Sequence, residues 1–315
     1  MTIINSVIKG GGTQPTGTKN ITANGVYDVT SYASADVQVP TTAPAYYIEK
    51  TKDANNKLVG GSTVINLSGV TDVGDYALQY AYQFNTAISG SVDLSSLTAI
   101  SGSSACVAMF ANCTGITSVD LSSLTTITGY LACSNMFNTC SGITAINLSS
   151  LQSINQSYCC YAMFGGCSNI TSVDLSSLQS ISGSYACYTM FSGCTGLVSV
   201  NLSSLQSIDS STCISMFSDC GLTSVVFSSL ITISAAGCDS MFQRCYSLTS
   251  LSFPALTSTS FGSYSSQFNN MLSGVTGCTV HFPSNLQSVI GSWTSVTNGF
   301  GGTNTTVLFD LTATS

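Results

Sequence analysis

A block of two cysteines that enclose a Met-Phe pair returns about every 27 residues, and it constrains the fold more than any other feature. The block is clearest in residues 106–113, CVAMFANC, and it returns five more times along the chain. A fixed period of this size is typical of a solenoid, in which each unit buries its apolar face only against its neighbours. The sequence therefore predicts a stack of coils rather than one rounded core.

Each repeat unit contains two apolar patterns, one typical of a strand and one typical of a helix. In residues 117–121, apolar Val119 and Leu121 alternate with polar Ser118 and Asp120, which predicts a half-buried strand. In the cysteine block the apolar residues fall at i, i+3, i+4 and i+7, which predicts a short helix with one buried face. The residues predicted to form the buried wall are Cys106, Met109, Phe110, Cys113, Cys133, Phe137, Cys140, Cys160, Phe164, Cys167, Cys187, Phe191 and Cys194.

Aligning the strand segments gives nine rungs, each centred on one outward-facing residue. The first six centres are spaced by 27 residues, and the later spacings are 25, 26 and 29. The centres are Asn66, Asp93, Asp120, Asn147, Asp174, Asn201, Val226, Ser252 and His281.

The first six rung centres form a candidate binding face. Rungs of a parallel sheet lie about 4.8 Å apart, so their amides and carboxylates would recur on a regular lattice. Four serines beside them complete a polar, weakly acidic surface: Ser118, Ser122, Ser172 and Ser176. Such a face is suited to hydrogen-bonding a glycan or another protein, and the alternative is that these side chains only solvate the sheet.

The order of apolar residues, cysteines and the Met-Phe pair resembles the BspA-type leucine-rich repeat. Residues 113–129 read CTGITSVDLSSLTTITG, and a C-x-x-M-F sequence follows at Cys133. The resemblance covers about residues 60–290. It implies a right-handed α/β solenoid of about nine coils, with short parallel strands on one face and short helices on the other. The proline common after the strand leucine occurs here only as Pro254 and Pro283. Such repeats serve adhesion and recognition in unrelated settings, so the resemblance is specific for fold and not for function.

Composition divides the chain into an N-terminal region, residues 1–57, and an array, residues 58–290. All five lysines lie in the first region, where an Asn-Gly pair between β-prone runs predicts a small hairpin or strand module followed by a linker. The first rung has Tyr80 and Phe84 in place of the cysteine and the Met-Phe pair, which indicates an N-terminal capping turn. Residues 291–315 are the predicted C-terminal cap.

Charge and hydropathy exclude several classes of function. Only 6% of residues are charged, against roughly 25% in an average soluble domain. Arg244 is the only Lys or Arg after Lys57, which argues against nucleic-acid binding because that function needs cations to replace condensed counterions. No apolar run is long enough for a membrane-spanning helix, so no membrane insertion is expected. The N-terminus also lacks the pattern of a secretory signal.

Fourteen cysteines invite a disulfide, a zinc or a core interpretation. Seven residues along a helix span about 10 Å, which is too far for a disulfide within a block. The spacing C-x6-C matches none of the usual zinc knuckles. We therefore expect free thiols that pack as small apolar groups, without a metal or cofactor. In oxidising surroundings, neighbours such as Cys133 and Cys160 would pair if stacking brought them within reach.

Three further features of the sequence are candidates for ligand binding or catalysis. Asp93 and Asp120 lie on consecutive rungs, where two carboxylates would attract Ca²⁺. Two carboxylates are, however, few ligands for a calcium site. The chain has one histidine, His281, and any Ser-His-Asp or Cys-His mechanism would have to be built around it. We therefore do not expect an enzyme. Five tyrosines would form an aromatic strip for ligand or subunit contact, or would only cover the rim of the coils: Tyr130, Tyr158, Tyr161, Tyr185 and Tyr188.

The leading functional hypothesis is a non-enzymatic phage virion component, a tail or head fibre protein. Residues 1–57 would bind other virion proteins, and the solenoid would touch a glycan or protein on the host surface. Residues 24–39 resemble short modules of structural proteins from phages that infect Gram-positive bacteria. The alternatives are a bacterial cell-surface or secreted adhesin of the same repeat family and a self-assembling intracellular scaffold. Each of these hypotheses is compatible with a homo-oligomer.

Overall fold

The chain is a parallel-strand solenoid of about eight turns in the computed structural model. The structure describes residues 19–20, 26–28, 37–38, 47–49, 71–76, 78–84, 86, 88–257, 266–290 and 299–312. The predicted stack of coils is confirmed, whereas the predicted number of nine coils is not. The predicted boundaries at residues 57/58 and 290/291 stay predictions.

The N-terminal region contributes four short strands. These are β1 (Lys19–Asn20), β2 (Val26–Asp28), β3 (Val37–Gln38) and β4 (Tyr47–Glu49). β1 pairs with β3 and β2 pairs with β4, both in parallel. The hairpin considered for this region is therefore wrong, because the strands on either side of the Asn-Gly pair bond to later strands rather than to each other.

The first row of array strands carries the rung centres. It comprises β5 (Ser89–Asp93), β7 (Gly115–Asp120), β9 (Ala145–Asn147), β11 (Ser172–Asp174), β13 (Ser199–Asn201), β15 (Ser224–Val226), β17 (Ser250–Ser252), β18 (Thr279–Pro283) and β19 (Thr306–Leu311). Eight of the nine predicted centres, from Asp93 to His281, lie on these strands, and the ninth, Asn66, lies outside the described residues. Parallel pairing aligns Asp93 with Asp120 and Asp174 with Asn201.

A second row of two-residue strands forms a six-stranded parallel sheet. It comprises β6 (Ala99–Ile100), β8 (Thr126–Ile127), β10 (Ser153–Ile154), β12 (Ser180–Ile181), β14 (Ser207–Ile208) and β16 (Thr232–Ile233). In each strand the isoleucine is buried and its neighbour is half-buried. A tight turn links the two rows, as where the amide of Leu124 donates to the carbonyl of Leu121 over 3.0 Å.

The third side of each coil consists of turns, and the helices predicted there are wrong. In the coil from 129 to 140, three four-residue turns follow one another, closed by the amides of Ala132, Met136 and Cys140 at 3.1 Å each. The third residue of each turn has a left-handed backbone, with φ values of 56°, 55° and 60° at Leu131, Asn135 and Thr139.

Hydrogen bonds between coils explain why turns replace helix. The amides of Cys133, Asn135 and Phe137 donate to carbonyls of the next coil at 2.7, 2.7 and 2.8 Å, instead of to residues four positions earlier. The chain on this side therefore pairs with its neighbour along the stack, much as a strand does. Among the described residues, the α-helical element is α1 (Gln287–Ile290), preceded by 3-10 turns at Ser266–Phe268 and Ser284–Leu286.

The core is a column of apolar side chains along the whole array. All thirteen residues predicted for the buried wall are at most 4% exposed. The phenylalanine rings stack from coil to coil, with centroids 5.2 Å apart between Phe110 and Phe137 and 5.3 Å apart between Phe137 and Phe164. Stacked rings of this kind contribute beyond the area that they bury.

The first described coil ends this column with a tyrosine ring. Tyr82 is the residue that occupies the phenylalanine position, because its ring stacks on Phe110 at 5.1 Å and is 2% exposed. Tyr80 and Phe84, which stand in place of the cysteine and the Met-Phe pair in the predicted capping turn, are 45% and 50% exposed. Both have left-handed backbones, at φ 58° and 61°, which turns their side chains out of the coil.

Candidate functional site

The Asp and Asn row lies on the outward face of the first strand row. In β7, Ile116 and Val119 are buried while Ser118 and Asp120 are half-buried, as the predicted alternation requires. Asp93, Asn147, Asp174 and Asn201 are exposed. The strands thus place these side chains in one line, and Ser118 and Ser172 lie beside them.

Each acid or amide in this row caps the turn that follows it. The Asp93 carboxylate accepts hydrogen bonds from the amide of Ser95 at 2.9 Å and from its hydroxyl at 2.6 Å. Asp120 and Asp174 accept from the amides of Ser122 and Ser176 at 2.9 and 3.0 Å. Asn147 and Asn201 do the same with Ser149 and Ser203.

These contacts give the row a structural role that the sequence interpretation missed. Asp and Asn side chains that bond to the backbone two residues later form Asx turns. The signal was present as an Asp or Asn followed two residues later by serine in every one of these coils. Ser122 and Ser176 take part in these turns through their backbone amides. Binding of a partner by the row stays a prediction.

Hydrogen bonding lowers the pKa of Asp93 below its ordinary value of 3.8, chiefly through the Ser95 hydroxyl and then through the Ser95 amide. This carboxylate is therefore ionised at neutral pH. The parallel register places it beside Asp120. These two carboxylates are the candidate calcium site. In the described part of the chain, no group of three or more His, Cys, Asp or Glu residues is arranged to hold a metal ion.

Twelve of the cysteines form two buried rows, and all fourteen are buried free thiols. In the second row each thiol donates to a carbonyl of the preceding coil, as from Cys113 to Tyr82 at 3.0 Å and from Cys140 to Phe110 at 2.9 Å. In the first row, the thiols of Cys160, Cys187 and Cys213 lie close enough across coils to influence one another's ionisation.

Burial shields all fourteen thiols from solvent and also raises the pKa of several of them. It raises the pKa of Cys106 and Cys140 to about 12 and that of Cys278 to about 11. Since the thiolate is the reactive form, these groups are protonated and shielded at neutral pH. Their role is packing.

Two contacts between ionisable side chains lie near the C-terminal end of the array. The Nδ1 atom of His281 lies 2.9 and 3.0 Å from the two carboxylate oxygens of Asp310, which joins β18 to β19. Arg244 binds Asp219 through two nitrogen atoms at 2.7 and 2.6 Å. Both pairs are exposed to solvent, and each bridges adjacent coils.

The five tyrosines meet on the turn side of three consecutive coils. Tyr158 stacks on Tyr185 at 5.2 Å, and Tyr161 stacks on Tyr188 at 5.2 Å. Tyr130 contacts Tyr158 edge-on at 6.1 Å. The sequence grouped these residues correctly, and we call them the tyrosine cluster.

No helix in the described residues has the length and apolarity needed to cross a bilayer.

Comparison with known proteins relates the chain to one repeat family. The model of the BspA type leucine rich repeat region matches in 6 copies, over residues 71–190 and 162–292. A search of curated protein sequences found no match.

The solved structures to which the chain is similar include leucine-rich repeat proteins. One from Bacteroides ovatus is 17% identical, with a TM-score of 0.47; the alignment covers 86% of this chain and 60% of that protein. The T. pallidum leucine-rich repeat protein is 20% identical, with a TM-score of 0.33, and 67% of this chain and 81% of that one are covered. A leucine rich cell surface protein from Faecalibacterium prausnitzii is 14% identical, with a TM-score of 0.21, over 84% of this chain and 96% of that one.

The family match extends over more than half of the chain, and within the matched region the buried cysteine blocks recur from Cys106 to Cys245 at spacings of 25 to 27 residues. The chain therefore belongs to the BspA-type leucine-rich repeat family.

Proposed function

We propose that the chain is a non-enzymatic recognition protein that presents its solenoid on a bacterial cell surface. The observation that carries the proposal is the outer surface of the stack, where short polar side chains recur on every coil while the large apolar residues fill the interior. A regular, extended surface of this kind is what solenoid proteins use for binding. The partner would be a glycan or a protein on another cell.

The described reactive groups support binding over catalysis. The thiols are buried in the apolar column. The His281 ring is paired with Asp310 at an exposed sheet surface, whereas catalytic groups work best where water is excluded. Membership of a repeat family used as a scaffold agrees with this view.

A virion component is the second candidate. The observation that favours it is the resemblance of residues 24–39 to short modules of phage structural proteins, in the region where β2 and β3 lie. In that case residues 1–57 would bind other virion proteins, and the solenoid would still recognise a surface partner. The two candidates differ in where the chain is displayed and agree in what the array does.

Immunogold labelling with antibodies against the full chain separates these candidates. We expect gold on intact, unpermeabilised cells of the producing bacterium, with permeabilised cells as the positive control. Gold on purified phage particles and none on intact cells would replace the first candidate by the second. Labelling only after permeabilisation would contradict both.

A further inference from the structure

We propose that the tyrosine cluster binds a neutral polysaccharide chain. The inference rests on the proposed recognition function and names its ligand class and its site. The five rings form one continuous surface, because each ring contacts at least one ring of a neighbouring coil at 5.2 to 6.1 Å. A polymer of repeating units would meet the same ring on successive coils.

The cluster is a surface feature and not part of the core. Tyr130 is 48% exposed and the other four rings are half-buried, whereas the phenylalanines of the same coils are fully buried. Tyr158 and Tyr185 also have left-handed backbones, at φ 57° and 58°, which bulky residues rarely adopt. The equivalent positions in other coils hold Leu131, Ser211 and Ala236, so the fold does not require a ring there.

The electrostatics around the cluster favour an uncharged ligand. Between Asp120 and Asp209 the chain has one charged side chain, Asp174, and it lies on the strand face, where it caps the turn at Ser176. A nucleic acid or an anionic polymer would have no cation to bind here.

The polar atoms of the cluster suit a ligand rich in hydroxyl groups. In the part of the chain that the structure describes, the five phenol hydroxyls make no hydrogen bond to the protein. Asn155 and Gln156 are exposed just before Tyr158, and Ser184 is exposed just before Tyr185. The apolar C–H faces of sugar rings would pack on the tyrosine rings, and their hydroxyls would bond to these groups, since tyrosine combines an apolar body with a polar tip.

The test is affinity electrophoresis of the full chain in native gels that contain dextran, amylose, galactomannan or a mixed-linkage β-glucan. At least one polysaccharide should retard the wild-type protein. The double variant Tyr158→Asn, Tyr185→Asn should bind that polysaccharide about tenfold more weakly or not at all, because ring contacts dominate such interfaces. Asparagine tolerates a left-handed backbone, so both proteins should melt at similar temperatures.

The matched control is Tyr76→Asn, Tyr80→Asn. These tyrosines are 54% and 45% exposed with φ values of 56° and 58°, so the same substitution is made in the same backbone conformation outside the cluster. This variant should be retarded like the wild type. Retardation of the Tyr158→Asn, Tyr185→Asn variant equal to the wild type would overturn the inference. So would a wild-type protein that no polysaccharide retards, and surface labelling of intact cells would then leave the proposed function standing.

Discussion

At the scale of single residues, the cysteines act as small apolar side chains that also satisfy backbone carbonyls. The Cys140 thiol fills the column and donates to the carbonyl of Phe110 in the preceding coil at 2.9 Å. The Cys167 and Cys194 thiols do the same with Phe137 and Phe164, both at 3.2 Å. Cysteine suits the position because it is small, apolar and still a weak donor.

We predict that no thiol of the native protein reacts with a water-soluble disulfide reagent at pH 8 within minutes. All fourteen are buried, so the reagent cannot reach them, and burial also raises the pKa of thiols such as Cys194 to about 12. All fourteen should react once the chain is unfolded in guanidinium chloride. Rapid reaction of several thiols in the native protein would show that the cysteine rows are open to solvent.

A second prediction concerns the Asx turn at Asp93. Replacing Ser95 by alanine removes the hydroxyl that lowers the pKa of Asp93 most, so this pKa should rise toward 3.8, as measured by NMR titration of the carboxyl carbon. A carboxyl with a lowered folded-state pKa stabilises the fold above its unfolded-state pKa, and that stabilisation is lost as the pH falls through the folded-state value. The variant should therefore lose less stability on acidification than the wild type.

The control for this titration is Ser149→Ala, beside the uncharged Asn147 of another coil. It should leave the pKa of Asp93 unchanged. An Asp93 pKa that is the same in Ser95→Ala and in the wild type would contradict the assigned cause.

At the scale of the element, the strands could be predicted from the sequence and the turns could not. The alternation around Val119 specifies a buried and an exposed side, and the structure agrees. The cysteine block was wrongly predicted to be a helix. Its two tandem turns, 106–109 and 110–113, place apolar residues at i, i+3, i+4 and i+7 just as a helix does. The spacing of apolar residues alone cannot distinguish tandem turns from a helix.

The preference of particular residues for a left-handed backbone does not predict these turns. Asn112, Asn135 and Gly166 suit the left-handed third position, but Ala108, Thr139 and Tyr158 occupy the same position in other turns. A non-glycine residue is uncommon there. Hydrogen bonds to the next coil outweigh the local preference, and such tertiary effects are invisible in a single unit.

The close approach of coils at Gly129 gives a prediction at this scale. A Cβ atom on Gly129 would collide with the backbone of Gly102 in the preceding coil, whereas one on Gly165 would first meet the flexible Asn138 amide, at 2.8 Å. Gly129→Ala should therefore lower the free energy of unfolding by about 1–3 kcal/mol, and Gly165→Ala should change it much less. Thermal denaturation measures both, and equal effects would contradict the close packing at Gly129.

At the scale of the whole molecule, stability is the sum of similar contacts between neighbouring coils. The ring column runs from Tyr82 to Phe242 with centroid separations of 5.1 to 5.8 Å. The parallel strand pairs and the amides of the turn side bond each coil to the next. The repeat period made this architecture predictable, because identical units can bury an apolar face only by stacking.

The candidate site was less predictable than the stack. The alignment of rungs placed Asp93 and Asp120 side by side correctly, but it did not show that their oxygens serve their own turns. The tyrosine cluster was visible as recurrent residues, whereas the ring contacts between coils follow from a turn geometry that the helix interpretation did not contain.

Deleting one complete coil tests the central claim, that the array is a stack of equivalent units. Removal of residues 134–160 joins Cys133 to Tyr161 and takes out one 27-residue period while keeping the C-x-x-M-F sequence. We predict a cooperative thermal transition with a Tm lowered by about 5 °C or less, because only one set of contacts between coils is lost. Removal of residues 134–146, half a coil, should abolish that transition because it breaks the register of strands and rings. A chain without residues 134–160 that unfolds as readily as the half-coil deletion would contradict the claim.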